Sequence, residues 1–186
     1  MNFALECIRD RFSCRAFTGH MPDEEKLLAI LQAAIQSPSG KNQQPWQMTL
    51  VRNAELLLDI EAEAMDGLAR EADPTMHNRI QSRGGKLFYH APCAIFISIN
   101  SAISNDAEID GGIASQSITI AAQSLGLASC ICRLASFAFA GEKGDHFKER
   151  LSFPEGHEFC LAILLGEPKT AGTPHKLNQE KITIID

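Results

Sequence analysis

Two short, almost uninterrupted apolar runs, Ala94 to Ile99 and Phe159 to Leu165, constrain this chain more than any other feature. A strand with one face in water would alternate apolar with polar residues. A continuous run of strand length is what a strand buried on both faces requires. The chain must therefore supply helices for both sides of a sheet, and its periodicity provides them. Asn2 caps a first helix in which Phe3, Ala4, Cys7 and Ile8 share a face, ending near Arg11. A second runs from about Asp23 to Gln36, with Leu27, Leu28, Ile30, Leu31, Ala34 and Ile35 as its buried stripe and Pro38 as its stop.

The rest of the chain alternates strands with helices. Trp46 to Val51 has the period of a strand, and Asn53 caps a third helix through about Ala72. Residues 73–90 show no clear period. Asp110 precedes a long helix that closes at Gly126, a short strand follows near Ser129 to Cys132, and a helix near Glu142 to Leu151 leads to the second apolar run. The expectation is a single domain over residues 1–186, since a chain of 186 residues buries roughly two-thirds of its unfolded surface without a disulfide or metal. Its residues 167–186 read as an extended tail. The apolar tip at Ile182, Ile184 and Ile185 needs something to pack on, either a partner subunit or the chain's own body.

Several function classes are disfavoured at once. The net charge of −6 argues against nucleic acid as the main partner, because phosphate backbones call for clustered Lys and Arg. No run approaches the ~20 apolar residues of a membrane span, and the start lacks the basic-then-apolar pattern of a signal peptide. The expected location is the cytoplasm. Six cysteines without C-x-x-C spacing and six scattered histidines read as reduced, small apolar residues and ordinary surface or structural histidines; no metal site is expected. Glycine-rich dinucleotide and phosphate loops and a serine elbow are absent, and the sequence singles out no acid–base pair.

Two segments carry chemistry. Arg11-Phe12-Ser13-Cys14-Arg15 sets two guanidinium groups and a hydroxyl on one face of an extended chain, where they can converge on an anion. The same residues also suit a solvated basic patch at a helix C-terminus. Ser37-Pro38-Ser39-Gly40-Lys41-Asn42-Gln43-Gln44-Pro45-Trp46 is polar and fixed by prolines. Its amides could pair with the imide edge of a pyrimidine or flavin ring, or the segment could be a turn ahead of a strand.

Together these motifs resemble the FMN-dependent nitroreductase family: Arg11-x-Ser13-x-Arg15, the Ser37-to-Trp46 loop, Phe88-Tyr89-His90-Ala91-Pro92, Leu125-Gly126-Leu127-Ala128-Ser129-Cys130, and Pro154-Glu155-Gly156 through Leu165-Gly166-Glu167-Pro168, in that order. The resemblance implies an α+β fold with a central mixed sheet flanked by helices. It also implies an intertwined homodimer whose tail is exchanged onto the partner. FMN would be the cofactor and NAD(P)H the transient electron donor. A ping-pong cycle would carry hydride from nicotinamide to flavin N5 and on to nitroaromatic, quinone or similar acceptors. Carried over, the cofactor-binding residues are Arg11, Ser13 and Arg15; Pro38, Ser39 and Asn42 from the other subunit; Arg133 and Leu134 near N5; and His175 and Lys176 near the phosphate. Arg133 departs from the family, in which glycine is common at or beside that place. Two other readings share the fold: a flavin-binding sensor without turnover, and a specialised flavin enzyme that does not use nicotinamide.

Overall fold

The computed structural model describes residues 2–174 and 176–186. At its centre is β2 (Cys93–Ile99), buried along its whole length. It pairs antiparallel with β1 (Trp46–Val51) on one side and β4 (Glu158–Gly166) on the other, and β3 (Ala128–Cys132) pairs antiparallel with β4, giving the order β1-β2-β4-β3. Because side chains alternate along a strand, β2 feeds two cores. Cys93, Ile95, Ile97 and Ile99 enter one, which α2 (Glu24–Ile35) and α5 (Ala107–Ser124) cover. Ala94 and Phe96 enter the other, beneath α3 (Ala54–Ala69), a 3-10 segment at Arg133–Ala138 and α6 (Gly144–Arg150). Each fully buried Ile or Phe contributes about 1.5–3 kcal/mol, so the double coverage of β2 is a main source of stability.

The sheet differs from the mixed arrangement expected. All of its named strands pair antiparallel, and the only parallel pairing among the described residues is a single bridge from Ser13 to Ser129. The short β3 returns directly beside β4, which leaves no parallel neighbour inside the sheet. α5 starts at Ala107, so Asp110 lies in its first turn rather than ahead of it. Asn2 and Asn53 cap α1 (Phe3–Asp10) and α3 as expected, through the amides of Ala4 and Leu56. The apolar stripes are only partly used. Cys7 alone of the α1 set is buried, while Phe3 and Ile8 of α1 and Leu28 and Ile35 of α2 stay exposed. Residues 73–90 hold a short helix, α4 (Thr75–Gln81).

Buried polar groups are compensated along α3. Glu61 accepts the Phe88 amide at 2.6 Å and pairs with Lys86, and Glu63 pairs with Lys143 at 2.7 Å and with Arg70 at 3.6 Å. All six cysteines are free and buried. Burial pushes the Cys93 and Cys132 thiols up to about 12 and Cys160 to about 11. Among the described residues no helix is long and apolar enough to cross a membrane, and no group of three or more His, Cys, Asp or Glu is placed to hold a metal.

Two outcomes follow from this packing. Thiolates are the reactive species, so a thiol titration of the native protein at pH 8 should label Cys93, Cys132 and Cys160 over hours rather than minutes, with all six reacting at once in denaturant. Rapid native labelling of those three would contradict their burial. A Cβ at Gly144 would run into the Phe139 carbonyl oxygen. Gly144→Ala should therefore cost about 1–3 kcal/mol and lower Tm by several degrees, read by thermal unfolding.

Candidate functional site

The chain leaves α1 through Arg11, whose amide closes the helix on the Cys7 carbonyl, and then runs extended. Two tethers fix this segment. The Cys14 amide donates to the Ser129 carbonyl at 2.9 Å beside the Ser13–Ser129 bridge, and Phe17 bridges Pro168 while the Lys169 amide donates to Ala16. Alternation then turns Cys14 into the core. Arg11, Ser13 and Arg15 line a cavity of about 510 Å³ whose other wall is the root of the tail, Thr170, Gly172 and Thr173. A Cβ at 172 would overlap the Phe12 ring, so only glycine brings the tail this close to the arginine segment.

Arg15 also lines a second cavity of about 180 Å³, together with Arg133 and Leu134, the 3-10 start after β3. Tyr89 stands in its wall with φ at +52°, on a turn that Glu61 anchors through the Phe88 amide. Burial pushes the Tyr89 phenol up, opposed by the positive charge of the nearby Arg15. Burial raises the Cys130 thiol too, against the nearby Arg15. The remaining walls include Arg79 and Arg83 of the segment that had no clear period.

Charge pairing divides the arginines cleanly. Arg9, Arg52, Arg70 and Arg150 hold Asp10, Glu24, Glu63 and Asp59 respectively. Arg11, Arg15, Arg79, Arg83 and Arg133 have no carboxylate at ion-pair distance among the described residues, and all five line these two cavities, whose walls contain no acid. Unpaired guanidinium forks facing a common space, with a hydroxyl among them, can bind a phosphate or carboxylate in bidentate fashion.

The Pro38-to-Asn42 loop is elsewhere. The Ser37 hydroxyl meets Ser117 of α5 at 2.7 Å, and the Gly40 amide donates to the buried Asp110 carboxylate at 3.1 Å. The other Asp110 oxygen has no hydrogen-bond partner. Ser39 accepts the Gln44 amide, and Lys41, Asn42 and Gln44 all adopt positive φ, so the loop is held in a strained shape. Pro38, Ser39 and Asn42 line neither cavity, and neither does the exposed Lys176. His175 lies outside the described residues. The structure thus brings Arg11, Ser13, Arg15, Arg133 and Leu134 together within one chain and leaves the loop apart. Sequence reasoning missed Arg79, Arg83, Tyr89 and the tail residues Thr170 and Thr173 as wall residues. A readable signal existed for two of them: Arg79 and Arg83 are four apart, with no Asp or Glu between Asp73 and Asp106 to pair with them.

Comparison with known proteins places the chain. A protein of Methanothermobacter thermautotrophicus, provisionally named NADH dehydrogenase/NAD(P)H nitroreductase, is 33% identical over 126 residues, 66% of this chain. The match spans just over half, 56%, of that relative's length. A nitroreductase with bound FMN from Desulfitobacterium hafniense is 44% identical, covers 100% of both chains and superposes with a TM-score of 0.97. A nitroreductase with bound FMN from Bacteroides fragilis is 26% identical, also with 100% coverage of both chains, at a TM-score of 0.90. The nitroreductase family model matches residues 8–167, from within α1 to the root of the tail, and the chain belongs to the nitroreductase family.

Proposed function

We propose that the protein is an FMN-dependent NAD(P)H oxidoreductase that works as a homodimer. The observation that carries this reading is the convergence of unpaired Arg11, Ser13 and Arg15 on an acid-free cavity. The donor set fits the cofactor, since a phosphate needs cationic forks and a hydroxyl with no carboxylate competing for them. The chemistry supplied by bound FMN is hydride uptake from a nicotinamide and delivery to a nitroaromatic, quinone or similar acceptor. This chain's residues bind and orient. Arg11 and Ser13 hold the phosphate. Arg15 sets positive charge where the two cavities share a wall. Arg133 and Leu134 border the ring from the second cavity, and Arg133 adds a cation that favours electron-rich states of the ring. The resemblance would make Lys176 and His175 further phosphate ligands once FMN is bound, although Lys176 lines neither cavity of the single chain.

The dimer rests on what one chain leaves undone. Pro38, Ser39 and Asn42 line neither of the chain's own two cavities, and α1, α5 and the tail expose Phe3, Ile8, Ile109, Ile184 and Ile185. A second copy that covers these side chains would bring its loop to this chain's arginines and receive the tail. Burying such residues releases roughly 25 cal/mol per Å² of apolar area.

Purified protein should show flavin absorption bands that bleach on anaerobic addition of NADH or NADPH. Bands that ignore both nucleotides would defeat the oxidoreductase reading. Arg11→Ala with Arg15→Ala should give folded protein with FMN affinity weakened roughly a hundredfold or more; undiminished flavin content would remove both arginines from the site. Deletion of residues 177–186 should lower the apparent mass on size exclusion and release FMN. An unchanged elution volume with full flavin would contradict the exchanged tail.

A further inference from the structure

The flavin reading accounts for Arg11 and Arg15 and leaves Arg79 and Arg83 without a task. The chain carries 23 acidic against 17 basic residues, yet every residue lining the two cavities comes from four stretches without Asp or Glu: 11–22, 74–105, 111–141 and 168–179. The positive field inside is therefore not diluted by the chain's own acids. Arg79 lies on α4 and Arg83 just past its end, and both line the same small cavity. Like charges so placed repel, and nothing in the walls relieves them. An anion between the two forks would.

The rest of the small cavity says what the anion is attached to. Met76, Ile80, Leu87 and Leu134 give it apolar walls. Its volume, about 180 Å³, is close to that of an engineered apolar cavity of ~150 Å³ that takes one benzene ring. A dinucleotide could place only one of its rings there, since pockets that enclose larger ligands run to about 300–1,000 Å³. We propose that Arg79 and Arg83, with Arg133 in the same wall, hold the carboxylate or phosphate of a planar, one-ring electron acceptor. This rests on the flavin reading of the adjoining cavity, because the ring must reach the electrons held there.

Binding and turnover, measured apart, test it. FMN-loaded protein is titrated calorimetrically with 4-nitrobenzoate and with its neutral near-isostere 4-nitrobenzamide. The carboxylate should bind about tenfold more tightly, and Arg79→Gln with Arg83→Gln should remove that gap while flavin absorbance per chain stays at the wild-type level. With NADH as donor, the kcat/KM ratio of the two acceptors should fall by a similar factor in the double variant. Both residues are exposed, so folding is not at stake. Equal affinities in the wild type, or a gap that survives the double substitution, overturn the proposal. Flavin lost from the double variant reassigns the arginines to the cofactor and overturns it as well. A loss confined to NADPH-driven flavin reduction, with the carboxylate gap intact, gives them to the donor's phosphate instead and likewise overturns it. Flavin that NADH and NADPH fail to bleach, with the carboxylate gap present and abolished by the substitutions, defeats the oxidoreductase reading alone and supports the anion site.

Discussion

Everything in this molecule hangs on β2 being dry on both faces. A strand with seven buried residues cannot satisfy its backbone with water, so β1 and β4 must flank it throughout. Its alternating side chains then demand a helical cover on each side. That requirement fixes α5 under one face and α3 under the other, and with them the places where functional segments can emerge. The arginine segment attaches to β3, the sheet's edge strand, and the loop attaches to α5. The separation of the two motifs within one chain follows from the layering.

Electrostatics make the second level. A surface guanidinium that pairs with a carboxylate is largely neutralised, and such pairs are worth little. Arg9, Arg52 and Arg150 are of this kind, while Arg70 pairs with the buried Glu63. The five that line the cavities keep their charge available because the segments around them carry no acid. In a chain that is acidic overall, the contrast concentrates positive potential at one place, which is how a cleft attracts and orients anions from a distance.

Much of this was legible beforehand. The β2 and β4 runs, the Asn2 and Asn53 caps and the Arg11-to-Arg15 spacing state their structure in local terms, and local physics decided them. What stayed illegible was decided by distant partners. Asp110 looked like a helix start, but α5 begins at Ala107 and the Asp110 carboxylate instead accepts the Gly40 amide from the distant loop. The Arg133–Ala138 segment has no strong period, being short and packed beneath α3. The α1 and α2 stripes predicted burial that one chain does not supply. Arg79 and Arg83 escaped notice because pattern reading searched for polar clusters, whereas their signal was the absence of counter-charge.

The tethers of residues 13–17 also imply an order of assembly. Ser13 and Cys14 need β3 in place, and Phe17 and Ala16 need the chain just beyond β4. β4 in turn reaches β2 across a wide sequence interval, with Cys93 opposite Leu165 and Ile99 opposite Glu158. Such non-local pairing is slow. Although it precedes every strand in the chain, the arginine segment can dock only after the last strand has closed the sheet. The arginine-lined cavity exists only on a chain that has finished folding, and partly folded forms lack its walls.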